Sequence, residues 1–241
     1  EVGMFTKTPG RAKCAALLLA VAFGLLLAIH PAAAASAGTT PEQALVDKAR
    51  ITLDSFVNDP QMTWLKDNLG QAKGVLIIPD MFKAGFFFGG SGGSGVLLVR
   101  DEETGEWRGP AFYILGSVNW GLQIGAQKAE VVMMVMSPAG VRALLSSNFK
   151  LGGNASVAVG PMGVGAGGAT APNLSADYLS FSRARGVYAG LILDGAVVKV
   201  NHNANLAYFN EEVTPADILT AGRVTNPQAA ELLRAVSQAA R

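Results

Sequence analysis

The sequence predicts an α+β domain: a twisted antiparallel sheet, open or partly closed into a barrel, flanked by N-terminal and C-terminal helices. Three observations predict it. Apolar residues recur at helical spacing from residue 41 to 69, and short β-branched and aromatic runs broken by Gly fill the middle. Pro-initiated, helix-like stretches then close the chain. No repeat or internal linker divides residues 38–241, which read as one domain.

Residues 1–37 read as an N-terminal extension plus signal peptide. Lys7, Arg11 and Lys13 precede sixteen apolar residues, Cys14 to Ile29, and small residues end in Ala35-Ser36-Ala37. A basic head, an apolar middle and an A-x-A site make an export signal, and sixteen residues fall short of the roughly 20 that a spanning helix needs. Cys14 stands at the start of the apolar stretch, where it does not serve as a lipoprotein cysteine. Cleavage near Ala37 predicts a periplasmic or secreted chain without cysteine, stabilised by packing alone. Sixteen basic and seventeen acidic residues remain after it, a net charge of −1. That balance excludes the strongly basic class of nucleic-acid binders.

Thr40-Pro41-Glu42-Gln43 combines a capping residue with Pro at the first helical position. Leu45, Ala49, Leu53, Phe56 and Val57 carry an apolar stripe to about Asn58. Asp59-Pro60 opens a shorter helix through Trp64, Leu65 and Leu69, with Gly70 as its stop. Two readings fit this pair: packing on the sheet, or lying in a membrane surface. The mixed charges of the polar face favour packing.

Gly74–Pro79, Ala84–Phe88 and Val96–Val99 read as three strands, with Lys83 in the link between the first two and Gly90–Gly95 leading into the third. Both faces of this segment are apolar, which places it mid-sheet. Asp101–Gly105 is a polar hairpin turn, and strand pattern resumes over Glu106–Leu115 and Glu130–Met136. Ser137-Pro138 caps a short helix through Leu145. Leu151–Gly168 reads as one or two tightly approaching strands, and Leu174–Arg185 with Val187–Val200 as a further strand pair. Thr214-Pro215 and Asn226-Pro227 start two closing helices.

Catalytic patterns fail on context. Gly90-x-Gly92-x-x-Gly95 and Gly163-x-Gly165-x-x-Gly168 match the dinucleotide fingerprint, but no helix follows to receive a phosphate. Gly89-x-Ser91-x-Gly93 lacks the helix and the acid–base partners of a nucleophile elbow. His202, in the polar NHNAN stretch, reads as a loop or strand-end residue. After cleavage near Ala37 one histidine and no cysteine would remain, which makes no transition-metal cluster. Glu102-Glu103 and Glu211-Glu212 read as solvated turn charges. The reading is therefore non-enzymatic, with no cofactor. Phe181, Arg183 and Arg185 share one strand face, and two guanidiniums about 7 Å apart suit phosphate headgroups. Ordinary surface ion pairs are the alternative.

Several stretches together resemble the SYLF domain, also called the Ysc84 or DUF500 domain. They are Ala72-Lys73-Gly74, Lys83-Ala84-Gly85-Phe86, Gly92–Gly95 with Val96, Gly121–Gly125 (GLQIG), Gly152–Pro161 (GGNASVAVGP), Ser182–Gly190 (SRARGVYAG) and Leu193-Asp194-Gly195. They follow in family order from about residue 42 to 220. The resemblance implies binding of phosphoinositides or other anionic lipids, and in fungal and animal members a link to actin assembly. An exported bacterial chain would meet no actin, so the expectation is an anionic phospholipid or membrane surface. Lys73, Lys83, Arg183 and Arg185, with Phe86, are the candidate contacts. An envelope structural or protein-interaction module, or a carrier of an apolar ligand, are the rival readings.

Overall fold

The computed structural model describes residues 39–85, 88–120, 125–153, 155–163, 175–184, 187–188 and 195–241. The unit that begins at Thr39 is built on one nine-stranded sheet. Helix α1 (Pro41–Val57) starts as read: the Thr40 side chain accepts from the Gln43 amide at 3.2 Å. Its buried stripe, Val46, Ala49, Leu53 and Phe56, lies against the sheet. This settles the two readings of the helix in favour of packing. Asp59 caps a tight turn, Pro60–Met62, that runs into α2 (Thr63–Asn68). Gly70 does not stop that helix but lies in a second tight turn, Leu69–Gln71, where a Cβ would come within 2.6 Å of the Ala240 carbonyl oxygen.

β1 (Gly74–Gly85) and β2 (Phe88–Arg100) correct the three-strand reading. Lys83 lies within β1 and is no link, and the Gly/Ser tract is strand, paired on one side with β1 and on the other with β3 (Trp107–Trp120). Pro79 is tolerated in so central a strand because the register shifts between Ile77 and Asp80, where a ladder donor is dispensable. The turn at Asp101–Gly105 is as expected: Asp101 accepts from the Glu103 and Thr104 amides, and Gly105 takes φ +72°.

β4 (Gly125–Val135) pairs with β1 and with β7 (Tyr178–Ala184). Helix α3 (Pro138–Leu145), capped by Ser137, leads to β5 (Asn148–Lys150) and β6 (Val157–Val159). β8 (Val187–Tyr188) pairs with β7, whereas β9 (Val197–Val200) does not, which corrects the expected strand pair. Instead β9 lies across the sheet between β3 and β5. The order is β5-β9-β3-β2-β1-β4-β7-β6, antiparallel except for β6 beside β7. NHNAN is no loop: Asn201 caps α4 (His202–Phe209). Its apolar residues form no one-sided stripe, so periodicity does not reveal it. The chain closes through α5 (Pro215–Leu219) and α6 (Ala230–Ala239).

The sheet curls into a half-barrel with helices from both ends of the chain around it. Alternation divides its side chains between two cores. Val75, Ile77, Val96, Leu98, Phe112, Val132 and Phe181 meet α1, α2, α4 and α6 on the outer face. Leu76, Leu97, Tyr113, Met133, Tyr178 and Val198 line the inner face with Leu144 of α3 and Ile218 and Leu219 of α5. Tyr113 donates to the Leu144 carbonyl at 2.6 Å and Tyr178 to that of Gly140 at 2.8 Å, fixing α3 inside the curl. No helix among the described residues is long and apolar enough to cross a membrane.

Candidate functional site

The structure does not bring the sequence-predicted cations together. Lys73 precedes β1 and Lys83 lies near its far end, roughly 30 Å away at the rise of an extended strand. Arg183 shares the outer face with Phe181, as expected, but it points beneath α1. Its guanidinium donates to Glu130 at 2.6 and 3.0 Å, to Ser55 Oγ at 2.6 Å and to Asp59 at 3.3 Å, and lies 5.1 Å from the Phe56 ring centre. With its side chain 18% exposed, Arg183 ties α1 to the sheet. Phe86 and Arg185 lie outside the described residues.

A different set converges at the end of the sheet marked by Gly85, Phe88, Trp120 and Gly125. Helix α1 crosses the outer face level with Asp80, which Lys48 reaches at 3.0 Å, and with Arg183. Beyond that level the register lines up Lys128, Phe82, Gly92, Gly116, Val197 and Lys150 in one row across β4, β1, β2, β3, β9 and β5. The neighbouring row holds Ile114 and Lys199. Phe82, Ile114 and Val197 are 58%, 43% and 46% exposed, and all three lysines are exposed. Three large apolar side chains with three cations on one sheet face form an amphipathic surface. The inner face at the same end is polar: Lys83 stands opposite Ser91 and Gln127 in the register, and Ser91 and Ser117 share a hydrogen bond at 2.7 Å.

An open groove of about 520 Å³ runs from this surface under the first turns of α1, lined by Leu45, Phe82, Gly92, Phe112, Ile114 and Ala204 among others. At its wall Asp80 accepts from Lys48 at 3.0 Å and pairs with Lys128 at 2.5 Å, and Lys128 also sits 5.6 Å from the centre of the Phe82 ring. Partial burial pulls the Asp80 pKa upward, but hydrogen bonds and charge from Lys128 and Lys48 outweigh it and hold the carboxyl below its usual range. Two ammonium groups thus share one carboxylate beside an apolar trough.

Sequence reasoning missed Phe82, Ile114, Val197, Lys128, Lys150 and Lys199. They are scattered along the chain, and Ile114 and Val197 read as ordinary core positions. Only strand order makes them neighbours. Ser91 is held by Ser117 within paired strand, so no nucleophile elbow exists there. Among the described residues no group of three or more His, Cys, Asp or Glu is placed to hold a metal.

A family model described as "Ysc84: Las17-binding protein actin regulator" matches residues 116–240. The chain belongs to the Ysc84 family. Relatives include the "SH3 domain-containing protein PJ696.02" of Schizosaccharomyces pombe, 35% identical over 195 residues, which are 77% of this chain and 44% of that protein. "Protein YSC84" of Saccharomyces cerevisiae is 33% identical over 196 residues, 77% of this chain and 41% of its own length. The "SH3 domain-containing YSC84-like protein 1" of Bos taurus is 31% identical over 164 residues, 68% and 47% of the two chains. The chain thus spans about half the length of the curated Ysc84 relatives it matches. The family description names a binding protein and actin regulator, and none of these names describes a catalysed reaction.

Proposed function

We propose that this domain is a non-enzymatic module that binds the anionic phospholipid surface of a bacterial envelope membrane, as a periplasmic or secreted protein released near Ala37. The observation that carries the reading is the single sheet face holding exposed Phe82, Ile114 and Val197 beside Lys128, Lys150 and Lys199. Apolar side chains enter the interface while ammonium groups meet phosphate oxygens. Each lysine near an anionic surface contributes roughly 1 kcal/mol, so three give reversible attachment. Lys83, at the same end, adds to the cationic rim, and Phe86 and Arg185 stay candidates on sequence grounds. Lys73 stands at the opposite end of β1 and takes no part in this face.

Flotation with vesicles tests this. The protein is expected to rise with phosphatidylglycerol-containing vesicles and stay behind with phosphatidylcholine alone. The combined variant Lys128→Gln, Lys150→Glu, Lys199→Glu is expected to lose flotation while keeping its circular dichroism. Equal flotation of that variant overturns the assignment of this face.

The second reading is a protein-interaction module, favoured by the family's description as Las17-binding. On that reading the same amphipathic face receives a protein partner, and neither kind of vesicle floats the domain.

A further inference from the structure

We infer that the groove under α1 seats one acyl chain of an anionic membrane phospholipid, with the headgroup phosphate held by Lys48 and Lys128. The inference rests on the membrane reading above and deepens it from a surface contact to a defined lipid site. Three observations carry it. First, the groove is continuous with the exposed apolar surface, since Phe82 and Ile114 belong to both. A chain leaving the bilayer at that surface enters the groove without crossing water. Second, its volume of about 520 Å³ falls within the roughly 300–1,000 Å³ of small-ligand sites. Its walls are apolar where Leu45, Phe112 and Ala204 contribute, and bare where Gly92 leaves the sheet without a side chain. Third, the charge is placed for an anion. Lys48 and Lys128 converge on Asp80 from the helix and from the sheet, so the trio carries a net positive charge. Both lysine side chains, though paired with Asp80, remain more than half exposed, 58% and 53%, so a phosphate can reach them from solvent. Glu42, the other acidic residue on the wall, precedes Lys48 by six positions, about 9 Å along the helix axis, at the end away from the proposed headgroup.

Gly92 supplies the means of testing it. A Cβ there would lie 3.5 Å from its nearest neighbour, the Leu115 carbonyl oxygen, an ordinary contact, so a larger side chain projects into the groove without disturbing the strand. Single-chain alkyl phosphates, used below their micelle concentrations, report on the groove without any bilayer. Calorimetry with octyl, decyl and dodecyl phosphate is expected to show one site per chain. Affinity should rise about fourfold for each added methylene that the groove buries. Gly92→Leu is expected to abolish this binding while the protein still floats with anionic vesicles through Lys150 and Lys199. Lys48→Gln with Lys128→Gln, both exposed and leaving the core intact, is expected to weaken dodecyl phosphate at least tenfold but dodecanol not at all. Vesicle flotation without saturable alkyl phosphate binding overturns the groove and leaves the surface reading standing. Absence of both overturns the two together. Dodecanol binding with the same affinity as dodecyl phosphate overturns the headgroup assignment, and tighter binding of a carboxylate of equal length overturns the phospholipid source.

Discussion

Phe149 and Tyr178 stack with ring centres 5.8 Å apart, although their strands, β5 and β7, stand six places apart in the sheet order. A flat sheet would separate them by nearly 30 Å. Their contact measures how far the half-barrel has curled, and six residues, 151–156, carry the chain between the sheet's two outermost strands, β5 and β6. Phe149→Ala is expected to lower stability by about 3–5 kcal/mol, because it removes a buried ring and leaves a cavity. Urea unfolding measures this, and a loss below 1 kcal/mol would mean that the stack does not hold the curl.

Arg183 is expected to act on stability. Arg183→Ala takes the shared cation from Glu130 and Asp59 under α1 and should cost about 2–3 kcal/mol, below the figure for fully buried pairs because solvent reaches this one. The folded fraction should float with anionic vesicles as the wild type does. Lost flotation with unchanged stability would return Arg183 to the lipid contacts.

The glycine tract should behave as two alternating sets. A Cβ on Gly95 would come within 2.6 Å of the Ile77 carbonyl oxygen, and one on Gly93 within 2.6 Å of that of Asp80. Gly93→Ala and Gly95→Ala are expected to destabilise by about 1–3 kcal/mol. Gly90 and Gly92 have room, so Gly90→Ala and Gly92→Ala should be neutral or stabilise by up to about 1 kcal/mol through the unfolded chain. Thermal unfolding of the four variants separates the sets.

Alkaline pH should weaken the fold through its buried tyrosines. Burial raises the pKa of Tyr113, reinforced by Tyr178; burial raises that of Tyr178, reinforced by the charge of Asp177. The unfolded chain loses these protons near pH 10, so it binds fewer protons than the folded state above that pH. The stabilising contribution is complete below about pH 10 and declines as pH rises toward the folded-state values. Tyr178→Phe removes one titrating group and should shallow the alkaline fall in stability, at the cost of its hydrogen bond to Gly140. An unchanged slope would contradict the assignment.

Vesicle binding should weaken with salt. Exposed lysines lose most of their reach once the Debye length shrinks from about 10 Å at 0.1 M to 3 Å at 1 M. Undiminished flotation at 1 M salt would mean that apolar insertion alone carries attachment.

Local chemistry was legible where it is self-contained. Thr40, Ser137 and Thr214 each cap the helix that their Pro-containing motifs announce, and Asp101–Gly105 turns as its composition dictates. The α+β class follows from two periodicities, since 3.6-residue and two-residue repeats report which face of a helix or strand is buried. The family motifs, too, can be read directly from the chain. Helix α4 escaped because its side chains show no one-sided pattern, and the Gly/Ser tract because glycine signals both turns and strands that a neighbour approaches closely.

The order of strands was beyond that reach. Moving β9 beside β3 sets Val197 and Lys199 next to Gly116 and Ile114, and crossing α1 at the level of Asp80 leaves Phe82 exposed. By itself the sequence determined where helices begin, which residues alternate into a core and to which family the chain belongs, because these are properties of neighbours a few bonds or turns apart. Tertiary structure alone decided that Arg183 is a tie beneath a helix and that lysines scattered along the chain share a rim. Pairing between distant strands depends on the packing of the whole domain, and no short stretch of sequence encodes it.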